Sequence, residues 1–234
     1  MKIKELFENN IDWEKFKQGN NYYCSLNKLT SLKGAPQEIG GHFTCSDTQL
    51  TSLEGAPQEV KGDFICSQNR LTSLEGAPQK VGGNFYCQTN RLTSLEGAPQ
   101  KVDGYFSCRT NRLTSLEGAP REVGRDFDCG NNRLTSLEGA PQKVDGDFSC
   151  FNNPIKSLKG IGKDYLKEIK GFNLNDCPIE SHMLGLLKVK GLINIKFNHN
   201  HKVEEIINKH LKTRDILACQ EELIENGLEQ YAQL

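Results

Sequence analysis

The sequence lacks a charge excess of either sign, since 29 Lys and Arg residues stand against 30 Asp and Glu residues in a chain of 234. This balance argues against an acidic mimic of DNA and against a generally basic nucleic-acid binder. Long apolar runs are also missing: nowhere do about 18 apolar residues follow one another, and the opening MKIKELFENN is charged where a signal peptide is apolar. We therefore expect a soluble, cytoplasmic protein without membrane association.

Sequence motifs of catalysis are missing as well. There is no GxSxG, no HExxH and no paired-carboxylate arrangement, and GIGK at 160–163 lacks the spacing and the Ser or Thr of a phosphate loop. No common zinc-finger spacing is met by the His and Cys residues near the C-terminus, which are Cys177, His182, His199, His201, His210 and Cys219. We predict a non-enzymatic protein with no catalytic residue, no metal and no cofactor.

What the sequence does contain is a repeat of 21 residues. Cysteines recur at that interval, at Cys24, Cys45, Cys66, Cys87, Cys108, Cys129 and Cys150. Such a period is typical of a solenoid, in which each unit buries its apolar side against its neighbours. Seven thiols in a row cannot converge on one zinc ion. We expect them to be reduced and buried like small apolar residues, in a reducing compartment.

One unit, residues 71–91, reads LTSLEGAPQKVGGNFYCQTNR. The alternation of Val81, Gly83, Phe85 and Cys87 with more polar residues predicts one half-buried strand whose Phe and Cys point inward. Asn90 follows three residues after the cysteine, where its amide can bond the backbone as the chain turns. The same position predicts a ladder of asparagines, formed by Asn27, Asn69, Asn90, Asn111, Asn132 and Asn153.

The order FxCxxNxLxxL resembles the leucine-rich repeat, in which a short parallel strand is followed by a turn at Asn. NRLTSLEGAP is similar to the short-repeat bacterial subclass, whose units cross the convex side in extended conformation, and Pro78 fits because proline opposes a helix there. The SLEGAP and FxC motifs of residues 21 to about 160 resemble those of repeat proteins of bacteria and their phages. The chain departs from the pattern at the Val and Gly before each strand, which could lengthen the strand or introduce a bulge. It also departs at Thr48 and Arg125, which replace Asn and Gly.

The resemblance implies a leucine-rich-repeat solenoid with a parallel β-sheet on its concave face, extended or turn segments on its convex face, and α-helical caps. Nine strands are expected, centred on the seven cysteines, Leu174 and Ile195, with Cys177 in an Asn position. Residues 21–160 are predicted to form regular repeats, and residues 161–200 degenerate ones.

Both ends of the stack are expected to be covered by helices. Residues 1–20 are predicted as an N-terminal helical cap, in which Ile3, Leu6 and Phe7 share one face and Asp12 caps a second turn. Residues 201–234 are predicted as a C-terminal helical cap. Its first helix carries an apolar stripe and its second starts at Thr213; the stripe consists of Val203, Ile206, Ile207, His210 and Leu211.

Two charged columns are expected along one rim of the solenoid. Arginines follow the asparagine ladder at Arg70, Arg91, Arg112 and Arg133, and glutamates follow five residues later at Glu54, Glu75, Glu96, Glu117 and Glu138. The basic column could bind phosphate. Because the acidic column is as long and close by, mutual screening on a solvated rim is the preferred interpretation, and nucleic acid is an unlikely partner.

Functional residues are sought where the repeats differ, because packing constrains the positions that they share. On the predicted concave face, stacking places Tyr86, Tyr105 and Arg109 side by side. The candidate partner-binding residues are Ile65, Tyr86, Gln88, Tyr105, Arg109, Asp126, Asp128 and Phe151. Aromatic residues and Arg amid acids are typical of a protein-binding hot spot. An idle surface on which the repeats have simply drifted remains the alternative.

The sequence therefore predicts a protein–protein interaction module. In a phage-like setting, the family resemblance implies that it binds and inhibits or sequesters a host protein in the host cytoplasm. The alternative from another class is a nucleic-acid or nucleotide binder that uses the Arg column.

Overall fold

The computed structural model describes residues 11–234. The fold is a β-solenoid of about eight turns, with stacked parallel strands, few helices and a repeat of 21 residues in its regular part. The repeat architecture predicted from the sequence is thus confirmed. The predicted helical face of Ile3, Leu6 and Phe7 lies outside the described residues.

The longer of the two sheets has ten strands within residues 11–234. They are β1 (Lys17–Gln18), β2 (Asn21–Tyr23), β4 (Phe43–Thr44), β6 (Phe64–Ile65), β8 (Phe85–Tyr86), β10 (Phe106–Ser107), β12 (Phe127–Asp128), β14 (Asp147–Ser149), β15 (Gly171–Asn173) and β16 (Asn194–Lys196). All except β1 are parallel, so this sheet has, within the described residues, the nine parallel strands that were expected. Ile195 lies at the centre of its strand, as expected. The cysteines and Leu174 instead follow their strands by one residue.

A second parallel sheet corrects the predicted layout of the repeat. Its strands are β3 (Glu38–Ile39), β5 (Glu59–Val60), β7 (Lys80–Val81), β9 (Lys101–Val102), β11 (Glu122–Val123) and β13 (Lys143–Val144). The stretch read as one strand over residues 81–87 is therefore two strands, neither lengthened nor bulged. The part of each turn outside the long sheet was predicted to consist of extended and turn segments. It also contains the strands of the second sheet.

A glycine at the corner between the two sheets, Gly83 in this repeat, accompanies this division. A Cβ at Gly83 would lie 2.4 Å from Asp63 Oδ1 and 2.6 Å from the carbonyl carbon of Gly62, so the adjacent turns approach too closely for a side chain. Hydrogen bonds continue through the corner, with Gly83 N donating to Gly62 O at 3.0 Å. The chain can thus bend without breaking the stack.

Apolar ladders fill the core between the sheets. The predicted inward Phe and Cys side chains are fully buried in the regular repeats, and neighbouring rings from Phe43 to Phe148 lie 5.1–5.9 Å apart. The thiol of Cys87 donates to Ser107 O at 3.2 Å, in the next turn. These contacts confirm the inward assignment of both columns.

The asparagine ladder ties consecutive turns together. Asn111 Nδ2 donates to Cys87 O and Cys108 O, at 3.1 and 2.9 Å, while its Oδ1 accepts from Leu92 N at 3.0 Å. Thr48 takes the Asn role by donating to Cys45 O at 2.9 Å, and the Cys177 thiol does so by donating to Cys150 O at 3.2 Å. The amide of Asn27 bonds only to Ser25 O within the described chain and is exposed, so the ladder begins one turn later.

At the first described turns, the 3₁₀ helix Trp13–Phe16 precedes β1. Trp13 is buried, with its ring 6.0 Å from that of Phe43, and its Nε1 donates to Lys33 O at 3.3 Å. Asp12 makes no side-chain capping bond, contrary to the sequence prediction, and pairs with Lys15 at 3.4 Å instead.

At the other end, the 3₁₀ helix Met183–Lys188 precedes β16, and two helices follow: α1 (His201–His210) and α2 (Ile216–Glu225), with the short 3₁₀ helix Glu229–Tyr231 after them. The predicted stripe of α1 from Val203 to Leu211 is buried. The second helix starts later than predicted, because Asp215 caps it by accepting from Ala218 N at 3.0 Å.

Polar side chains of α1 bind the backbone of β16, the last strand of the long sheet. Asn208 Oδ1 accepts from Ile195 N at 2.7 Å, and its Nδ2 donates to Ile195 O at 3.0 Å. Glu204 Oε2 accepts from Phe197 N at 2.8 Å. An edge that would otherwise offer free donors and acceptors to another strand is satisfied from within the chain.

Candidate interaction surface

The side of the long sheet that faces away from the core is named the open face. Its residues form three columns: one just before the inward Phe, one between Phe and Cys, and one after Cys. All eight candidate residues lie on it, with Tyr105 and Asp126 in the first column, Ile65, Tyr86 and Asp128 in the second, and Gln88, Arg109 and Phe151 in the third.

Four of the eight residues are in mutual contact, and we name them the tyrosine patch: Tyr86, Tyr105, Arg109 and Asp128. The two tyrosine rings lie 5.6 Å apart at an angle of 46°. The Tyr105 hydroxyl donates to Asp128 Oδ2 at 3.1 Å, and Arg109 Nη1 lies 4.0 Å from the same oxygen. Stacking of consecutive repeats thus brings together residues that are up to 42 positions apart in the sequence.

The phenol groups of the tyrosine patch remain protonated at neutral pH. Burial, reinforced by the Asp128 carboxylate, raises the pKa of Tyr105 well above its usual range. Burial also raises the pKa of Tyr86. Tyr105 is therefore held as a hydrogen-bond donor to a buried carboxylate, while the Arg109 side chain remains 52% exposed and available to a partner.

The other four candidates flank the tyrosine patch. Ile65 lies beside Tyr86 in the register of β6 and β8. Phe151 covers Gly130, where a Cβ would come within 2.2 Å of its ring. Gln88 has a buried Oε1 without a hydrogen-bond partner in the described chain. Asp126 is exposed and belongs to a structural ladder.

That ladder, which we name the acceptor ladder, was not anticipated from the sequence. In it, a first-column side chain accepts from the backbone N–H one turn ahead. Asp63 Oδ1 accepts from Asn84 N at 2.7 Å and Asn84 Oδ1 from Tyr105 N at 2.8 Å. Equivalent bonds at 2.7–2.9 Å are made by Asn21, His42 and Asp126. Polar residues that were interpreted as free surface therefore hold the turns together.

Tyr105 interrupts the acceptor ladder, because its phenol ring carries no acceptor close to the backbone. In the turn that follows Tyr105, the corner glycine is also replaced, and Arg125 occupies its position. Elsewhere that glycine is required, since a Cβ at Gly104 would lie 2.5 Å from Asn84 Oδ1 and one at Gly146 would lie 2.1 Å from Asp126 Oδ1. With a tyrosine in the ladder position, the acceptor oxygen that a Cβ would meet is absent, so the replacement of the glycine by Arg125 goes together with the loss of the acceptor.

Arg125 is a residue of this surface that the sequence reasoning did not include among its candidates. It is exposed, and its charge opposes the upward shift of the Tyr86 pKa, which places it near the tyrosine patch. Its signal in the sequence was the loss of a glycine kept in the other regular repeats. The sequence alone gives no reason for that loss, because the reason lies in the acceptor ladder.

The arginines of the predicted basic column lie in solvent, without direct partners in the described chain. Arg70, Arg91, Arg112 and Arg133 are exposed, and within residues 11–234 none of them makes an ion pair with the glutamate column or any other acid. Direct pairing therefore does not neutralise the basic column.

Comparisons with known proteins add no assignment: the chain matches no protein-family profile, and neither curated proteins nor solved structures give a significant match. Among the described residues, no helix has the length and apolar character needed to cross a bilayer. In the same part of the chain, no three metal-ligating side chains converge on a possible ion site.

Proposed function

We propose that the protein is a non-enzymatic protein–protein interaction module that binds its partner through the open face, centred on the tyrosine patch. The observation that carries this proposal is the interruption of the acceptor ladder at Tyr105. A rule of packing that is kept in the neighbouring turns is broken at one position, and the residue found there joins an aromatic and charged cluster. Departures from local structural rules concentrate at functional sites.

The composition of the tyrosine patch supports a protein partner. Tyrosine and arginine are enriched among residues that dominate binding energy, and here Tyr105 is held by its hydrogen bond to Asp128 before any partner arrives. Preorganised side chains lose little conformational entropy on binding. The open sheet face around them suits a macromolecule better than an enclosed small ligand.

We further propose that the solenoid is of the leucine-rich-repeat type, with the open face concave and the terminal segments acting as caps. Support comes from the asparagine ladder, the FxCxxNxLxxL order and the burial of the α1 stripe against the last turn. By resemblance to the phage and bacterial repeat proteins, binding would inhibit or sequester a host protein in the cytoplasm. Nine free, buried thiols suit such a reducing compartment.

The proposal is tested by capturing a partner from a bacterial lysate and measuring its affinity for open-face variants. Tyr86→Ala and Arg109→Glu should each weaken binding by about 2 kcal/mol or more. The unfolding free energy of each variant should stay within about 0.5 kcal/mol of wild type, because neither side chain belongs to the core. Wild-type affinity in both variants would refute the assignment of this surface.

The second candidate function is binding of nucleic acid or nucleotides, which the unpaired Arg column supports. Neutralising several phosphates releases counterions, so the logarithm of the affinity would fall steeply with the logarithm of salt concentration. In that case, Arg112→Glu would abolish binding to single- or double-stranded probes. The tyrosine-patch variants would bind the same probes as wild type does. Under our proposal, Arg112→Glu leaves partner affinity unchanged.

A further inference from the structure

A depression of about 290 Å³ lies on the open face beside the tyrosine patch. Tyr105 forms one side and Asn173 and Asn194 the other, and the carboxylates of Asp126, Asp128 and Asp147 line it between them. The depression thus combines an aromatic wall, three acids and two side-chain amides. It spans the strands from β10 to β16.

The three carboxylates are incompletely compensated. Asp128 accepts hydrogen bonds from the Tyr105 hydroxyl at 3.1 Å and from Gly130 N at 2.9 Å, but its one ion-pair contact in the described chain is Arg109 Nη1 at 4.0 Å. Within residues 11–234, neither Asp126 nor Asp147 has an ion-pair partner. Asp128 is 8% exposed as a residue, so its charge lies in surroundings that screen it less than water does. Lys196 reaches the far margin of the depression without an ion pair to any of the three acids.

We propose that this depression receives a cationic side chain, lysine or arginine, from the protein partner of the open face. This inference rests on the proposed function and specifies the chemistry of the partner. A guanidinium or ammonium group entering here would meet carboxylate acceptors and could lie against the Tyr105 ring, a combination that favours cations. The amide oxygens of Asn173 and Asn194 add neutral acceptors on the opposite side.

The flanks of the depression extend this complementarity. Arg109 lies on one side, at the end of β10, and Lys196 on the other, in β16, so the open face presents positive, negative and positive charge in that order. Four strand spacings of about 4.8 Å separate the two flanks, or roughly 19 Å. The partner segment should therefore carry a basic residue at its centre and acids on either side.

The direct test uses the full chain and a small probe, Nα-acetyl-arginine N-methylamide, followed by shifts of backbone amide signals in NMR spectra. Saturable shifts are expected at Tyr105, Asp126 and Asp147. The citrulline analogue, which has nearly the same shape and no charge, should cause none. Equal binding of the citrulline analogue, or shifts elsewhere only, would overturn the proposal.

Matched variants locate the binding. Asp126→Asn with Asp147→Asn keeps a side-chain oxygen for the acceptor ladder and removes two charges, so probe affinity should fall at least about tenfold. Asp63→Asn removes a charge from the same column outside the depression and should have no effect. An equal loss in both would mean that general electrostatic attraction binds the probe. Calcium chloride that shifts the same amides and displaces the probe would mean a metal site instead.

The outcome is separable from that of the proposed function. If the captured partner loses affinity for Tyr86→Ala but binds the Asp126→Asn, Asp147→Asn variant as wild type, the open face is the binding surface and the cation pocket is wrong. If the partner ignores every open-face variant, the proposed function fails even where the arginine probe binds.

Discussion

At the scale of single residues, the asparagines of the repeat do more than terminate a strand. Asn111 donates to three carbonyl groups and accepts from one N–H, and these groups belong to two different turns. Losing one partner of a buried hydrogen bond costs more than the bond contributes, because the other group stays desolvated.

Replacing Asn111 by Ala should therefore lower the free energy of unfolding by about 3 kcal/mol. Urea denaturation gives the measurement. Asn27→Ala is the matched control, since the exposed Asn27 bonds only to Ser25 O in the described chain, and it should stay within about 0.5 kcal/mol of wild type. Equal losses in the two variants would show that the ladder does not stabilise the stack.

The thiols give a second prediction at this scale. Burial raises the pKa of Cys24 to about 12 and that of the fully buried repeat thiols further, so few thiolates form at pH 8. Native protein should react slowly with a thiol reagent, and protein in denaturant should react completely. Rapid labelling of most thiols while the protein is folded, or stoichiometric zinc, would contradict the buried, metal-free assignment.

At the scale of elements, the last strand shows how the sheet is ended. Asn208 and Glu204 occupy the edge of β16 with side-chain hydrogen bonds. Asn208→Leu should leave Ile195 N and O unpaired and open an edge for intermolecular strand pairing.

We expect the Asn208→Leu variant to form oligomers or aggregates, detected by light scattering over a concentration series. Glu205→Gln is the control, because Glu205 is exposed and, in the described part of the chain, pairs only with Lys202 on the same helix. A monomeric Asn208→Leu variant with wild-type melting would mean that α1 covers the core without protecting the edge. Deleting residues 201–234 should cause stronger aggregation by also exposing the last apolar layer.

The comparison between sequence and structure is also clearest for elements. The inward Phe and Cys, the asparagine ladder and the neighbours within the tyrosine patch could be predicted, since a strict period fixes which residues stack. The second sheet could not be predicted. Val81, Gly83 and Phe85 continue the alternation expected of a single strand, and a glycine has no side chain whose polarity would indicate a bend. The acceptor ladder was missed because Asp and Asn on an outward column look solvated, although both can accept a backbone N–H.

At the scale of the whole molecule, stability and binding are expected to compete at one turn. The double variant Tyr105→Asn, Arg125→Gly restores the repeat pattern: the introduced asparagine can accept from Asp126 N, and the glycine makes room for it. We expect this variant to be at least as stable as wild type, by up to about 1 kcal/mol. Tyr105→Asn alone should gain less, since the Cβ of Arg125 would crowd the new amide.

The affinity of this double variant for the captured partner tests the central claim most directly. If Tyr105 was selected for binding at the expense of the acceptor ladder, the variant should fold at least as stably as wild type and bind about 30-fold or more weakly, equivalent to about 2 kcal/mol. Unchanged affinity in a stably folded variant would contradict the account, because the broken ladder would then mark only drift among the repeats.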